Sequence, residues 1–143
     1  MQLKDIMTKG VEVIHPGAML QEAAQHMRRL DVGPLPVCDG ERLVGMLTDR
    51  DITVRAVAEG RDPRTTKVQD VMTCEVVYVF EDQDVAEAAR LMEEHQIRRV
   101  VVLNRDKQLV GIVSVGDVAV YTGNERQAGK TLERVSEPAE PKR

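Results

Sequence analysis

The chain has 143 residues, of which 42% are apolar and 2% aromatic, and it carries a formal net charge of −4. That apolar content suffices for one compact domain or two small units, and it argues against a globally disordered chain. The negative charge and the scarcity of aromatic rings argue against nucleic-acid binding, which needs a basic face or stacking platforms. No apolar run reaches the length of a membrane span or resembles a secretory signal, so we expect a cytoplasmic protein with no membrane partner.

The two halves of the sequence repeat each other. Residues 5–8 (DIMT) return sixty-five residues later as 70–73 (DVMT), and residues 43–48 (LVGMLT) return sixty-six residues later as 109–114 (LVGIVS). Between these blocks the apolar positions of one helical pattern also return at the first offset. Three separate blocks that repeat at nearly the same offset indicate an internal duplication.

The same order of elements is predicted in each copy. A short helical turn ends at Met-Thr and is followed by a β run. Next comes an amphipathic helix with apolar residues at i, i+3, i+4 and i+7, and then two β runs around a polar turn. A closing helix begins at Thr48 or Ser114. The predicted β runs are 11–14, 35–38 and 43–47 in the first copy and 76–80, 100–103 and 108–113 in the second. The predicted fold class is therefore α/β, with two β-α-β-β-α repeats.

The domain boundaries follow from the duplication. The first repeat with its polar linker, Glu59–Pro63, is predicted to occupy 1–66, and the second repeat 67–121. Residues 122–143 are rich in charged and small residues, and we expect a mobile charged tail with a helical stretch near Thr131–Val135. Because a unit this small buries little surface alone, we expect the two repeats to pack face to face about an approximate two-fold axis.

The most informative segments are the two strand-to-helix junctions. Each has a hydroxyl residue followed three positions later by an aspartate: Thr48 with Asp51, and Ser114 with Asp117. One interpretation is a helix-capping box, in which the hydroxyl caps the free amides and the carboxylate reaches back to the amide of the capping residue. The other is a nucleotide site, since a helix start and a hydroxyl can hold a phosphate while a carboxylate accepts hydrogen bonds from a ribose. The two interpretations are compatible.

Other residues near the junctions extend the nucleotide hypothesis. Gly45 and Gly111 have no side chain, which would let a flat base approach the backbone closely. Arg50 supplies a guanidinium near the phosphate position in the first copy, whereas the second copy has Arg98 and Arg99 before its hairpin. The alternative for the last two arginines is ordinary solvated surface charge.

These features, with the two Met-Thr openings and the Leu35-Pro36-Val37 run, resemble the CBS domain family over about Leu3–Tyr121. The resemblance implies a tandem pair of units about a pseudo-two-fold axis, a homodimer, and an adenosine ligand such as AMP, ADP, ATP, NAD or S-adenosylmethionine. It assigns the ribose to Asp51 and Asp117, the phosphate to Thr48 and Ser114, and the base pocket to Pro36 and Val101. The second copy departs from the family pattern at Val101, where the family usually has proline.

Nothing in the sequence argues for catalysis or for a metal. No nucleophile–base set, zinc motif or phosphate-binding Walker loop is present, and His15, His26 and His95 lack ligand spacing. Cys38 lies in a β run and is expected to be a core residue, while Cys74 lies in a loop and is expected to be exposed. The predicted function is a regulatory module that binds an adenosine nucleotide and acts on an unknown effector protein. The alternative is a ligand-free interaction or oligomerisation module.

Overall fold

The computed structural model of the chain describes residues 1–122 and 125–136. The chain divides into two compact units, which we call the first unit (Glu12–Val76) and the second unit (Met1–Val11 together with the chain from Val77 onward). Both contain helices and strands, which confirms the predicted α/β class. Within the described ranges, no helix combines the length and the apolar character needed to cross a bilayer.

The first unit consists of a helix, a β-hairpin and a short closing helix. Its elements are α1 (Leu20–Leu30), β1 (Pro34–Asp39), β2 (Arg42–Thr48), α2 (Asp49–Ile52), a π-helical turn (Thr53–Val57) and a 3-10 turn (Val68–Asp70). Strands β1 and β2 are antiparallel, with Pro34 opposite Thr48. The predicted order of helix, hairpin and closing helix is therefore present.

The first predicted β run, 11–14, is not a regular strand. Ile14 makes one isolated parallel bridge, in which its amide donates to the Pro36 carbonyl at 3.0 Å and its carbonyl accepts from the Cys38 amide at 3.0 Å. Pro16 follows two residues later, and because proline has no N–H the ladder cannot continue there. This sheet consequently has two strands rather than three.

The amphipathic pattern of α1 determines which face is buried. Leu20, Ala23 and Met27 lie on one face of the helix, and all three are buried. The helix ends at Asp31, which has a left-handed conformation with φ of 55°. The core that this face joins includes Ile14, Leu35, Val37, Leu47, Val68 and Val71. Full burial of each such side chain stabilises the unit by about 1.5–3 kcal/mol.

The second unit has a three-stranded sheet and three helices. Its elements are β3 (Tyr78–Phe80), α3 (Val85–His95), β4 (Arg99–Leu103), β5 (Leu109–Ser114), α4 (Val115–Thr122) and α5 (Glu125–Val135). Strand β4 lies in the centre, parallel to β3 and antiparallel to β5. Asp84 caps α3 by accepting a 2.9 Å hydrogen bond from the Ala86 amide.

Each Met-Thr opening pairs with the hairpin of the other repeat. Thr8 exchanges backbone hydrogen bonds of 2.8 and 3.1 Å with Ile112, inside the second unit. Thr73 exchanges bonds of 2.8 and 2.9 Å with Met46, inside the first unit. The compact units are therefore not the sequence repeats: the predicted boundaries 1–66 and 67–121 describe the duplication and remain a prediction as domain limits.

Part of the tail, which was predicted to be mobile, forms the helix α5. Its helical stretch extends from Glu125 rather than from Thr131, and Thr131 is fully buried with its hydroxyl donating to Glu93 Oε1 at 3.0 Å. Val135 is 9% exposed and belongs to the core of the second unit. Glu125–Val135 thus form a helix that packs through Thr131 and Val135. Residues 123–124 and 137–143 lie outside the described residues, so mobility there stays a prediction.

Replacing Thr131 with valine tests whether α5 is docked. Thr131→Val keeps the shape of the side chain but removes the hydrogen bond to Glu93, which should lower the free energy of unfolding by about 1 kcal/mol. Urea denaturation measures this change. Lys130→Ala, at an exposed position of the same helix, should stay within about 0.5 kcal/mol of wild type. If wild type and Thr131→Val unfolded at the same urea concentration, the docking of α5 would be contradicted.

Candidate ligand site

The strand-to-helix corner of the first unit forms a complete capping box. The Asp51 amide donates to Thr48 Oγ1 at 3.0 Å, and the Thr48 amide donates to Asp51 Oδ2 at 3.0 Å. The Asp51 side chain is 14% exposed, and its Oδ1 lies 4.0 Å from Nε of Arg55. The capping interpretation of the sequence motif is correct here.

The other amides at the start of α2 also have partners inside the protein. The Asp49 amide donates to the Gly33 carbonyl at 3.0 Å, and the Arg50 amide donates to the carboxylate of Asp49 at 2.9 Å. The Asp49 carboxylate therefore lies at the helix start, where a phosphate would otherwise accept hydrogen bonds. Arg50 is exposed, and the sequence-based assignment of Arg50 to phosphate binding stays a prediction.

The second unit repeats this corner without the blocking carboxylate. The Ser114 amide donates to Asp117 Oδ2 at 2.8 Å, and the Asp117 amide donates to Ser114 Oγ at 3.1 Å. The Val115 amide donates to the Arg98 carbonyl at 3.0 Å, as Asp49 does to Gly33 in the first unit. Val115 stands where the first unit has Asp49. The residue before Gly116 therefore has no carboxylate to accept a hydrogen bond from the Gly116 amide, as Asp49 does from the Arg50 amide.

A cavity of about 620 Å³ opens beside this second corner. Its lining residues are Arg98, Arg99, Ser114, Val115, Gly116, Ala119, Gly129 and Leu132. Three of the predicted site residues, the two arginines and Ser114, are thus brought together. Asp117 does not line the cavity itself, but its hydrogen bonds with Ser114 hold it next to a residue that does.

The cavity has one basic side and one apolar side. Arg98 and Arg99 are both exposed, and no carboxylate in the described part of the chain lies within 4.0 Å of either guanidinium. The lining residues that belong to α4 and α5 are small or apolar. An anionic ligand with an apolar ring matches both sides.

Sequence reasoning missed the apolar side of the cavity. Gly129 and Leu132 belong to α5, which lies outside the duplicated region, so comparison of the repeats could not find them. One signal was present in the sequence: Gly129 interrupts an otherwise amphipathic stretch, and glycine is unfavourable inside a helix.

Gly45 and Gly111 both lie close to the backbone of a Met-Thr segment. A Cβ at Gly45 would lie 2.8 Å from Met72 Sδ and 2.8 Å from the Thr73 carbonyl oxygen. A Cβ at Gly111 would lie 2.7 Å from the sulfur of Met7 and 2.9 Å from the Thr8 carbonyl oxygen. The protein's own Met-Thr segments therefore require the missing side chains, and the assignment of the two glycines to a base pocket stays a prediction.

The remaining predicted base-pocket residues lie inside the hairpins. Pro36 is buried in β1 opposite Met46, and Val101 is 4% exposed in β4 opposite Ile112. Neither lines the cavity described above. Their contribution to a base pocket stays a prediction.

The cysteines and histidines do not form a site in the described ranges. Cys38 is buried and Cys74 is exposed, as predicted, and burial raises the pKa of the Cys38 thiol. His15 is exposed, with Nε2 3.7 Å from Asp39 Oδ1. Among residues 1–122 and 125–136, no three His, Cys, Asp or Glu side chains are grouped so that they could hold a metal ion.

The fold and the two corners define a duplicated α/β module with a cavity at one strand-to-helix junction. The sequence matches the CBS domain over residues 3–57 and again over residues 68–122. The chain therefore belongs to the CBS domain family, as the sequence features indicated.

Three relatives are informative. The CBS domain-containing protein YhcV of Bacillus subtilis is 42% identical over 134 residues, which cover 94% of each chain. Hypoxic response protein 1 of Mycobacterium tuberculosis is 44% identical over 117 residues, 81% of each chain. A crystal structure of Hypoxic Response Protein I, with two coordinated zinc ions, has a TM-score of 0.77 at 42% identity and covers 85% of this chain and 98% of that one.

A second structure contains adenosine ligands. The CBS domain pair of protein MJ0100, in complex with 5′-methylthioadenosine and S-adenosyl-L-methionine, has a TM-score of 0.72 at 29% identity and covers 86% of this chain and 100% of that one.

Alanine substitutions test the packing role of the two glycines. Gly45→Ala and Gly111→Ala each place a Cβ within 3.0 Å of a backbone carbonyl oxygen, so each should lower the free energy of unfolding by about 1–3 kcal/mol. Gly129→Ala is the matched control, because it meets no such contact and should stabilise α5 by up to about 1 kcal/mol. Chemical denaturation compares the three. Unchanged stability in Gly45→Ala and Gly111→Ala would show that the Met-Thr segments are not packed against them.

Proposed function

We propose that this protein is a regulatory module, not a catalyst, that binds an adenosine nucleotide in the cavity of its second unit. The observation that carries the proposal is that Ser114, at the start of α4, lines one cavity together with Arg98 and Arg99. Two arginines with no carboxylate within 4.0 Å in the described residues would attract a phosphate, and the positive end of the α4 dipole also favours an anion.

Asp117 is suited to hold the ribose. Its Oδ2 accepts the Ser114 amide, and an ionised carboxylate has about four acceptor sites, so capacity remains for the hydroxyl groups of a sugar. A hydrogen bond to a charged acceptor contributes about 1.5–3 kcal/mol. The MJ0100 domain pair supports an adenosine ligand here, since both of its ligands contain the adenosine group.

The two units are proposed to bind unequally. In the first unit the carboxylate of Asp49 already accepts the Arg50 amide, and its negative charge would repel a phosphate. Thr48, Arg50 and Asp51 therefore form the weaker site. The second unit, with Val115 and Gly116 at the corresponding positions, is the stronger one.

Thermal shift measurements with AMP, ATP, NAD and S-adenosylmethionine test the proposal. At least one of the four should raise the melting temperature of the wild-type protein, and Asp117→Ala should remove most of that rise, with Asp51→Ala having the smaller effect. Stabilisation reaches about 2.7 kcal/mol when the ligand is present at one hundred times its Kd. The proposal fails if none of the four shifts wild type more than it shifts Asp117→Ala.

Asp84→Ala separates ligand binding from helix capping. Asp84 caps α3 in the same unit, so its replacement should lower stability by about 1 kcal/mol, as loss of the Asp117 cap does. Asp84 is hydrogen bonded to Ala86 at the start of α3, whereas Asp117 is hydrogen bonded to Ser114, which lines the cavity; the nucleotide-induced rise should therefore persist in Asp84→Ala. Loss of the rise in both variants would mean that it reports general stability rather than a site.

An interaction or oligomerisation module is the second candidate function, and one observation favours it. Val54 and Val120 occupy corresponding positions of the two repeats and are 50% and 75% exposed, and Val57 nearby is 65% exposed. Exposed apolar side chains at corresponding positions fit a surface that pairs with a second copy of the chain. A homodimer is compatible with nucleotide binding, and a change in pairing would transmit the bound state to an effector protein.

Glutamate substitutions test this surface. The double variant Val54→Glu/Val120→Glu should sediment as a monomer in analytical ultracentrifugation while wild type sediments as a dimer, because a charge buried in an apolar interface is strongly unfavourable. Val32→Glu, at a valine that is 39% exposed and lies just after α1, is the control and should remain dimeric. A monomeric wild type would remove the homodimer from the proposal.

A further inference from the structure

One wall of the cavity lies outside the duplicated region. Gly129 and Leu132 belong to α5, whereas the other lining residues belong to β4, β5 and α4 or to the residue just before β4. In the first unit the closing helix α2 is followed by a π-helical turn, the linker 59–63 and a 3-10 turn, so that unit has no second α-helix after its hairpin. The second unit therefore has a component that the repeat does not supply.

Helix α5 is anchored on the side next to the one that lines the cavity. Thr131 is fully buried and hydrogen bonded to Glu93, and Val135 is 9% exposed in the core. Gly129 and Leu132 are three residues apart and therefore lie on a shared face. Leu132 remains 45% exposed, which is unusual for a leucine on a docked helix and leaves apolar surface at the cavity.

Gly129 is not explained by packing within the protein. A Cβ at this position would meet no heavy atom of the described residues within 4 Å. Glycine in a helix interior destabilises that helix relative to alanine, and here no tight contact requires it. The space that the missing side chain leaves belongs to the cavity.

We infer that α5 is part of the ligand site: Gly129 leaves room for the flat ring of the nucleotide base, and Leu132 packs against it. The phosphate end of the same ligand lies at Arg98 and Arg99, which line the same cavity. This inference rests on the proposed nucleotide function and identifies the segment that contacts the base. Ligand binding and the docking of α5 are consequently coupled.

A leucine at position 129 gives a sharp test. Gly129→Leu places its Cβ at a cavity-lining position where no heavy atom of the described residues lies within 4 Å, and it improves helix propensity, so its melting temperature should equal or exceed that of wild type. In calorimetric titrations with AMP, ATP, NAD and S-adenosylmethionine, its affinity for whichever of these wild type binds should fall at least about tenfold, because the new side chain overlaps the ring. Glu133→Leu adds the same side chain at an exposed position of α5 that does not line the cavity, and it should bind within about twofold of wild type.

Hydrogen exchange of the α5 amides adds a second measurement. The bound nucleotide should slow exchange in residues 129–135 of wild type. Wild-type affinity in Gly129→Leu, with binding still lost in Asp117→Ala, would overturn the role of α5 and leave the proposed function standing. Faster exchange in α5 on binding would also overturn it, since the helix would then be displaced. If wild type binds none of the four nucleotides, the proposed function fails and the assignment of α5 fails with it.

Discussion

Two reciprocal hydrogen bonds set the direction of each closing helix. At Ser114 and Asp117 the hydroxyl accepts one backbone amide and the carboxylate accepts another, over distances of 3.1 and 2.8 Å. These bonds turn the end of a β-strand into the start of a helix at one defined residue. Because of that turn, Ser114 lies at the cavity, and Asp117 is held beside it rather than free to rotate away. The position of every other cavity residue on α4 follows from this corner.

The strand-to-helix corners of the two units differ in their charge and in the partners of their amides, because two neighbouring residues differ. Asp49 in the first unit supplies a carboxylate to the amide of Arg50, so the helix start is satisfied from within the protein. Val115 and Gly116 in the second unit offer no such acceptor and leave an apolar, open surface. A duplicated scaffold thus combines one internally closed corner with one open corner. The difference arises from local charge and side-chain size, while the backbone hydrogen bonds of the two corners are alike.

The glycines illustrate why a local motif does not disclose its neighbour. The sequence shows that Gly45 and Gly111 begin equivalent segments, and a close approach to each was predicted from the missing side chain. In the structure, the group next to each missing side chain is the Met-Thr opening of the opposite repeat. Glycine indicates that something lies close to the backbone, but the identity of that group depends on residues that are far away in the sequence. Only the folded chain brings Thr73 to Gly45.

The sequence by itself determined the duplication, because blocks of residues return at a nearly constant offset. It also determined the helix–hairpin–helix order, the buried face of α1 and α3, and the hydroxyl–aspartate capping boxes, because each of these depends on residues a few positions apart. Tertiary structure alone decided that residues 1–11 join the second unit and that the predicted β run 11–14 makes one bridge instead of a strand. It also decided that α5 docks through Thr131 and Val135. The cavity also belongs to this second group. Its walls come from segments up to about thirty residues apart, and their meeting depends on which buried surfaces fit together, which no local pattern of residues encodes.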